Sequence, residues 1–432
     1  MRIPSYAAVL ALSVIGCGDN GDPPAATNKP DAPAANDDAF QIHGLHKWYL
    51  IGNAATTGDD TLKIIVDAPA GTQVVDAWIG DKPLRMQPQD GEFALETSVA
   101  DVPAGARTMV FAADGSPTAF AAVTFNRSAP YYVLVSTDWD FSDPGDVAMA
   151  DIDDLHAHHP IRMTDFVGPY TFTDPAVTPA RRDQIASWLI MQRDTNHDEL
   201  GLHIHPYCNF VEDAGVTCVT DKSTVYTEDM SGYTIELDAY DRATMGTLLD
   251  HAADLFDAHG LGRPHTFRAG GWTAGVETML ALDDKGYIAD TSALNWARIE
   301  EWRGKLLYTW NMEHWTPIGD TSQPYYPTQT ATLGDDGSAP LSILEVPDNG
   351  VMIDYVSIYE MYGVFDANWD GTPLAHPISL MMGFHPSTSY SAGEQDRVDK
   401  FLTYADKHLA TNDLGPVVYT TLSDLVAAFP PD

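Results

Sequence analysis

Between residues 40 and 127 apolar and polar positions alternate in short runs. Successive side chains of a strand face opposite ways, so this pattern predicts strands at 48–51, 62–66, 75–79, 93–97, 108–112 and 119–125. Gly52, Pro69-Ala70-Gly71, Asp90-Gly91, Pro103-Ala104-Gly105 and Asp114-Gly115 separate the runs with turn chemistry. Short strands at this spacing, with no helical period, predict a small immunoglobulin-like β-sandwich. Beyond Ser128 the rhythm changes. Apolar runs at 131–136, 161–167, 200–204, 343–346, 378–384 and 417–420 alternate with helical patterns at 178–193, 239–259, 275–285 and 392–408. Thr178-Pro179 opens the first of these helices as a cap followed by proline at the first helical position. Alternation of this kind predicts a parallel α/β barrel or sheet, in which the C-terminal strand ends carry the chemistry.

The 432-residue length has room for two domains, and 44% apolar with 10% aromatic residues is a folded composition. With 23 basic and 62 acidic residues the net charge is −39, which excludes nucleic acid and anionic lipid headgroups as partners of the folded part. At the start, Arg2 precedes an apolar stretch over 7–15 that is too short to span a bilayer. It ends in Val14-Ile15-Gly16-Cys17, which resembles a bacterial lipobox and predicts lipidation at Cys17. Residues 18–38, rich in Pro, Ala, Asp and Asn, have tether composition. The expected organisation is a signal peptide at 1–16, a tether at 17–39, the sandwich at 40–128 and a catalytic domain at 129–432. The protein is then exported and lipid-anchored at the cell envelope, touching the membrane only through the lipid. Gly18, rather than Asp, after the cysteine leans towards an outer membrane or cell surface. In that oxidising compartment the remaining cysteines, Cys208 and Cys218, are expected to form a disulfide. Thiolate metal ligation would need a denser Cys/His cluster.

Four short segments hold the candidate chemistry: VSTDWD at 135–140, ELGLHIHPY at 199–207, FRAGGW at 267–272 and MGFHP at 382–386. Residues two apart on a strand share a face, so His203 and His205 can reach one divalent cation, and Asp138 and Asp140 offer the same geometry. A carboxylate beside two imidazoles, with a position left for water, is the composition of a catalytic metal site, most plausibly zinc.

These segments, in this order, resemble the polysaccharide deacetylases, the NodB-homology domains of carbohydrate esterase family 4, over residues 131 onward. The resemblance implies a distorted (β/α) barrel that removes N-acetyl groups from an acetylated polysaccharide or peptidoglycan-type glycan. It implies Asp138 as general base, Asp140, His203 and His205 as metal ligands, Arg268 as the residue holding the base, and His385 as general acid. Trp272 and Tyr207 are the expected substrate contacts. A further segment, Leu344-Glu345-Val346-Pro347, is similar to a later strand-end motif of the family. Two features depart from the family pattern: Trp139 separates the aspartates, and the histidines are spaced H-x-H rather than H-x-x-x-H. They leave open which aspartate binds metal and whether His205 is a ligand or holds substrate. The alternatives to deacetylation are a non-catalytic glycan-binding protein and a hydrolase of another C–N amide bond.

Overall fold

The structure, a computed structural model, describes residues 40–52, 58–116, 120–334, 336–387 and 392–431. Cys17 and the tether lie outside them. Two compact units divide the described residues, one of 40–42, Ile65–Ala94 and Met109–Val123, the other of His43–Ile64, Leu95–Thr108 and the residues from Thr124 onward.

Among the described residues nine strands precede the barrel: β1 (Gln41–His43), β2 (Trp48–Leu50), β3 (Thr61–Asp67), β4 (Val75–Ile79), β5 (Lys82–Arg85), β6 (Gln87–Gln89), β7 (Glu92–Ser98), β8 (Gly105–Ala113) and β9 (Phe120–Ser128). They form one sheet of four strands and one of five. In the smaller unit β4 runs antiparallel to β5 and β8, and Trp78, Val110, Ala112 and Phe120 make its apolar cluster. Asp90 and Gly91 both take positive φ, at 51° and 93°, as a tight hairpin between β6 and β7 demands.

The larger unit is a distorted parallel β/α barrel. Its strands are β10 (Tyr131–Asp138), β11 (Met163–Val167), β12 (Glu199–Ile204), β13 (Thr266–Ala269), β14 (Ala289–Asp290), β15 (Leu344–Glu345), β16 (Ile378–Phe384) and β17 (Val417–Tyr419). Their order is β15-β14-β13-β12-β11-β10-β16, and β17 also pairs with β10. Along β10, β16 occupies one edge from Tyr131 to Thr137; β17 takes the first three residues of the other edge and β11 the part from Val135. The extended segment after β15 closes the gap to β16: Val346 N donates to Asp290 O, Gly350 N to Met381 O and Ile353 N to Gly383 O, each at 2.8 Å. Gly383 permits this closure, since a Cβ there would lie 2.6 Å from Met352 Sδ and 2.7 Å from Ser136 Oγ.

Alternation along β10 sorts its side chains. Tyr131, Val133 and Val135 face the helical layer, with Ile152 and Leu155 of α1 (Gly145–His158) and Ile185 and Leu189 of α2 (Pro179–Met191). Tyr132 and Leu134 face the barrel interior with Phe166, Leu344 and Met381. The helices that follow are α3 (Cys208–Asp213), α4 (Arg242–Ala258), α5 (Val276–Asp284), α6 (Leu306–Trp315), α7 (Ile358–Asn368), α8 (Ala392–Ala405) and α9 (Leu422–Val426). Leu422 and Leu425 of α9 join the interior cluster as a plug. Leu422 N donates to Thr164 Oγ1 and Ser423 N to Glu199 Oε2, at the N-terminal ends of β11 and β12. Burying each such leucine stabilises by about 1.5–3 kcal/mol. The opposite end of the barrel stays open for chemistry.

The helix expected over 239–259 begins at Arg242, because the Asp241 carboxylate accepts the Thr244 N–H as its N-cap and a separate 3₁₀ turn precedes it. Short β1, β5, β6, β13 and β14 and helices α1, α3, α6, α7 and α9 were not predicted. Beyond α1, the His159 ring bridges Asp406 (2.7 Å) and Asp399 (3.1 Å), so both ring nitrogens donate and the imidazolium is favoured. Burial alone would lower its pKa; the two carboxylates outweigh that and raise it. The raised value in the folded state makes its stabilisation complete below the unfolded value of about 6.5 and lost as pH rises through the folded value. His159→Gln is therefore expected to lower the unfolding temperature more at about pH 6 than at about pH 9. An equal loss at both pH values would show that the ring contributes only packing.

Candidate active site

Four strand ends converge at the open face. Asp138 closes β10 and Ser136 precedes it on the same face; the Arg268 guanidinium of β13 donates to both, at 2.7 Å and 2.9 Å from Nη1. Trp139 turns the other way and is fully buried, its ring against Trp188 and its indole N–H on Thr137 Oγ1. A tight turn, Asp140 N donating to Asp138 O at 3.1 Å, then returns Asp140 to the open face. The intervening tryptophan thus keeps both aspartates on one side.

His203 and Arg268 are register partners on β12 and β13, and His203 Nδ1 donates to the Arg268 carbonyl at 3.0 Å. His205, just past β12, donates from Nδ1 to the Tyr233 carbonyl at 2.8 Å. Both rings therefore aim Nε2 at one atom, Asp140 Oδ1, at 3.3 Å and 3.1 Å. The three donor atoms lie within 4.8 Å of one another. Burial lowers the His203 pKa, so this ring is neutral and its Nε2 presents a lone pair. Burial would raise that of Asp140, but His385, His205 and His203 hold it well below the carboxylate range. Fixing Nδ1 on carbonyls is how imidazole ligands are oriented, and here it turns both Nε2 atoms towards Asp140. The donor set fits a divalent ion of the zinc class.

Arg268 is fully buried, stacked 4.7 Å over the Phe166 ring and bonded through Nε to Thr291 O. It meets Asp138 through one nitrogen rather than as a two-pronged pair. Nη1 alone contacts Asp138 Oδ1, while Nη2 lies 3.4 Å from Asp348 Oδ2, so one cation serves two buried carboxylates. Asp348 was not singled out in the sequence; burial raises its pKa to about 6 against the pull of Arg268. Removing the arginine would strand two buried acids, a change that costs about 3–5 kcal/mol. Asp138 Oδ2 is left buried with no hydrogen-bond partner, and Asp138 lines the cleft.

His385 follows β16, with Nε2 3.8 Å from Asp140 Oδ1 and Nδ1 bonded to Asp354 Oδ2. Burial would lower its pKa, yet Asp140 and Asp354 raise it to about 10, so it is an imidazolium at neutral pH. Trp272, at φ 57°, and Tyr355 present ring edges to it and line the cleft, a cavity of about 120 Å³ with further walls from Trp302, Leu307 and Thr273. Tyr207 lies behind the site rather than in the cleft wall: its hydroxyl donates to the Asp140 carbonyl at 3.1 Å. Glu345 accepts the Ala293 N–H and stays buried in the barrel. Cys208 and Cys218 are joined as a disulfide. Tyr233 and Asp354, which sequence reading missed, sit in loops with no periodic or motif signal.

No family model matches the chain, and no curated protein matches it. Among solved structures it is similar to a proposed polysaccharide deacetylase from Mycobacterium smegmatis, at 15% identity over 69% of this chain and 89% of that one, TM-score 0.40. It is also similar to a family 4 carbohydrate esterase from Streptomyces lividans in complex with acetate, at 10% identity, 70% and 98% coverage, TM-score 0.35. A family 4 acetyl xylan esterase from Clostridium thermocellum in complex with a cobalt ion matches at 9% identity, 68% and 90% coverage, TM-score 0.35. At these values the functional reading rests on the geometry of the site.

Zinc titrated into metal-free protein is expected to bind at about one ion per chain, and His203→Ala to lose that binding while keeping its far-ultraviolet circular dichroism. Unchanged stoichiometry in His203→Ala would place the ion elsewhere.

Proposed function

We propose that this chain is a divalent-metal-dependent hydrolase of the polysaccharide deacetylase type, removing N-acetyl or related acyl groups from a cell-surface or extracellular glycan. One observation carries the reading: three convergent metal donors lie between a carboxylate with a free buried oxygen and an imidazolium. When bound by Asp140, His203 and His205, the cation lowers the pKa of water and offsets charge at the acyl oxygen. Asp138 Oδ2 accepts the proton of the attacking water, and Arg268 holds the other oxygen so that the free one faces the cleft. As the C–O bond forms and the C–N bond breaks, His385 Nε2 gives its proton to the leaving amine, while Asp354 fixes the ring through Nδ1. Acetate and a free amino sugar result. A purely glycan-binding role would leave both the Asp138–Arg268 and the Asp354–His385 pairs without a task, which favours the hydrolase over that alternative.

The aspartates separate the roles. Asp138→Asn is expected to keep zinc affinity and lose about 10²–10⁴-fold in turnover of an acetylated chitooligosaccharide, the worth of a general base. Asp140→Asn is expected to weaken zinc binding first, with part of the activity returning in excess zinc. Full activity in both variants would remove the mechanism.

We further propose that the mature chain begins at a lipidated Cys17 and reaches its glycan from the envelope. The sequence before residue 40 supports this; no helix among the described residues is long and apolar enough to cross a membrane. Cys17→Ser is expected to move the protein from the membrane fraction to the soluble one. Retention on membranes after a high-salt wash would sink the anchor.

A further inference from the structure

We infer that Tyr233 is a positioning residue of the metal-binding group, holding two of its three donors at once. The inference rests on the metal-site reading above. The Tyr233 hydroxyl donates to Asp140 Oδ2 at 2.7 Å, which leaves Oδ1 as the oxygen facing the two imidazoles. The carbonyl of the same residue accepts the His205 Nδ1–H at 2.8 Å, which fixes the tautomer whose Nε2 lone pair is free. His203 takes the equivalent support from the barrel itself, through the Arg268 carbonyl. His205 lies beyond the end of β12, so its support has to come from a loop.

That loop is built to a fixed position. The Cys208–Cys218 disulfide pins its start, with the two Cα atoms 5.2 Å apart. Cys208 N donates to Ser231 O at 2.8 Å, drawing the far arm of the loop onto the near one. Asp229 accepts four bonds, from the N–H and hydroxyl of both Ser231 and Thr234, at 2.7–2.8 Å. Gly232, at φ +82°, lies so near Pro206 that a Cβ would come within 2.2 Å of the Pro206 carbonyl. Only glycine lets the next residue reach the site. The Tyr233 ring then lies 4.5 Å from the His205 ring and stacks on Tyr207 and Phe141, at 5.3 Å and 5.8 Å. A phenol supported on three rings has one direction in which to donate, and Asp140 stands there.

Tyr233→Phe removes the hydroxyl and keeps both the ring and the carbonyl, so it tests the bond to Asp140 with little change in packing. Zinc affinity of the full chain, read by competition with a chromophoric chelator, is expected to fall about 10–100-fold, the usual cost of losing a group that orients a ligand. The unfolding temperature of the zinc-free protein is expected to stay unchanged, and turnover to recover in excess zinc. A merely structural tyrosine would show the reverse pattern. Gly232→Ala keeps the phenol but displaces the loop, and is expected to weaken zinc binding as well. Wild-type affinity in either variant overturns the inference while leaving the metal site in place. Absence of zinc binding in the wild-type chain would overturn the metal-site reading itself.

Discussion

Two imidazole nitrogens and a carboxylate oxygen face one another across about three ångströms, a donor set that could hold a divalent ion. The rest of the open face is arranged around that convergence. Each ring's other nitrogen is committed to a carbonyl, which keeps both Nε2 atoms aimed at Asp140. Asp140 stays ionised because the histidines outweigh the cost of its burial. The three donors so fixed form a group that could hold a divalent ion.

The second constraint is Arg268, a charge with no access to water. Its placement beneath the cleft works because β13 and β10 each supply a rigid strand, so the distance to Asp138 is set by the sheet rather than by a loop. Sharing the guanidinium with Asp348 keeps the arginine neutralised even when Asp138 takes up a proton. A change of charge at Asp138 would then leave no isolated buried cation beside it.

The strand periods made the barrel legible: β16 spans the residues its apolar run predicts, and α2 starts at the proline behind the predicted cap. The helix α1 escaped because its apolar positions, Ala148, Met149, Ile152 and Leu155, are diluted by acids and histidines that weaken the helical period. β13 and β14 were too short for alternation to register. At the site, Asp138 with Asp140 and His203 with His205 could be read as pairs from their spacing, although a turn after β10, rather than strand alternation, returns Asp140 to that face. Tyr233, Asp354 and Asp348 could not. They reach the same point from loops and an extended crossing segment, where the path of the chain is decided by tertiary contacts such as the disulfide and the close approach of Gly232 to Pro206.

The pairing of β10 has a kinetic meaning. This strand forms an edge with β11 soon after it in the chain, but its other edge is completed only by β16, and Ser136 meets Met382 across 246 positions. The plug is similarly remote: Leu422 of α9 bonds Thr164 across 258 positions. Until those late segments arrive, Tyr132, Leu134 and Phe166 have an unfilled interior and the Asp138 face has no His385 opposite it. Loop closure over such separations is entropically costly, so these contacts are expected to form after the local ones and to complete the open face last. A chain ending before β16 would hold Asp140, His203 and His205 together but lack the His385 that faces them.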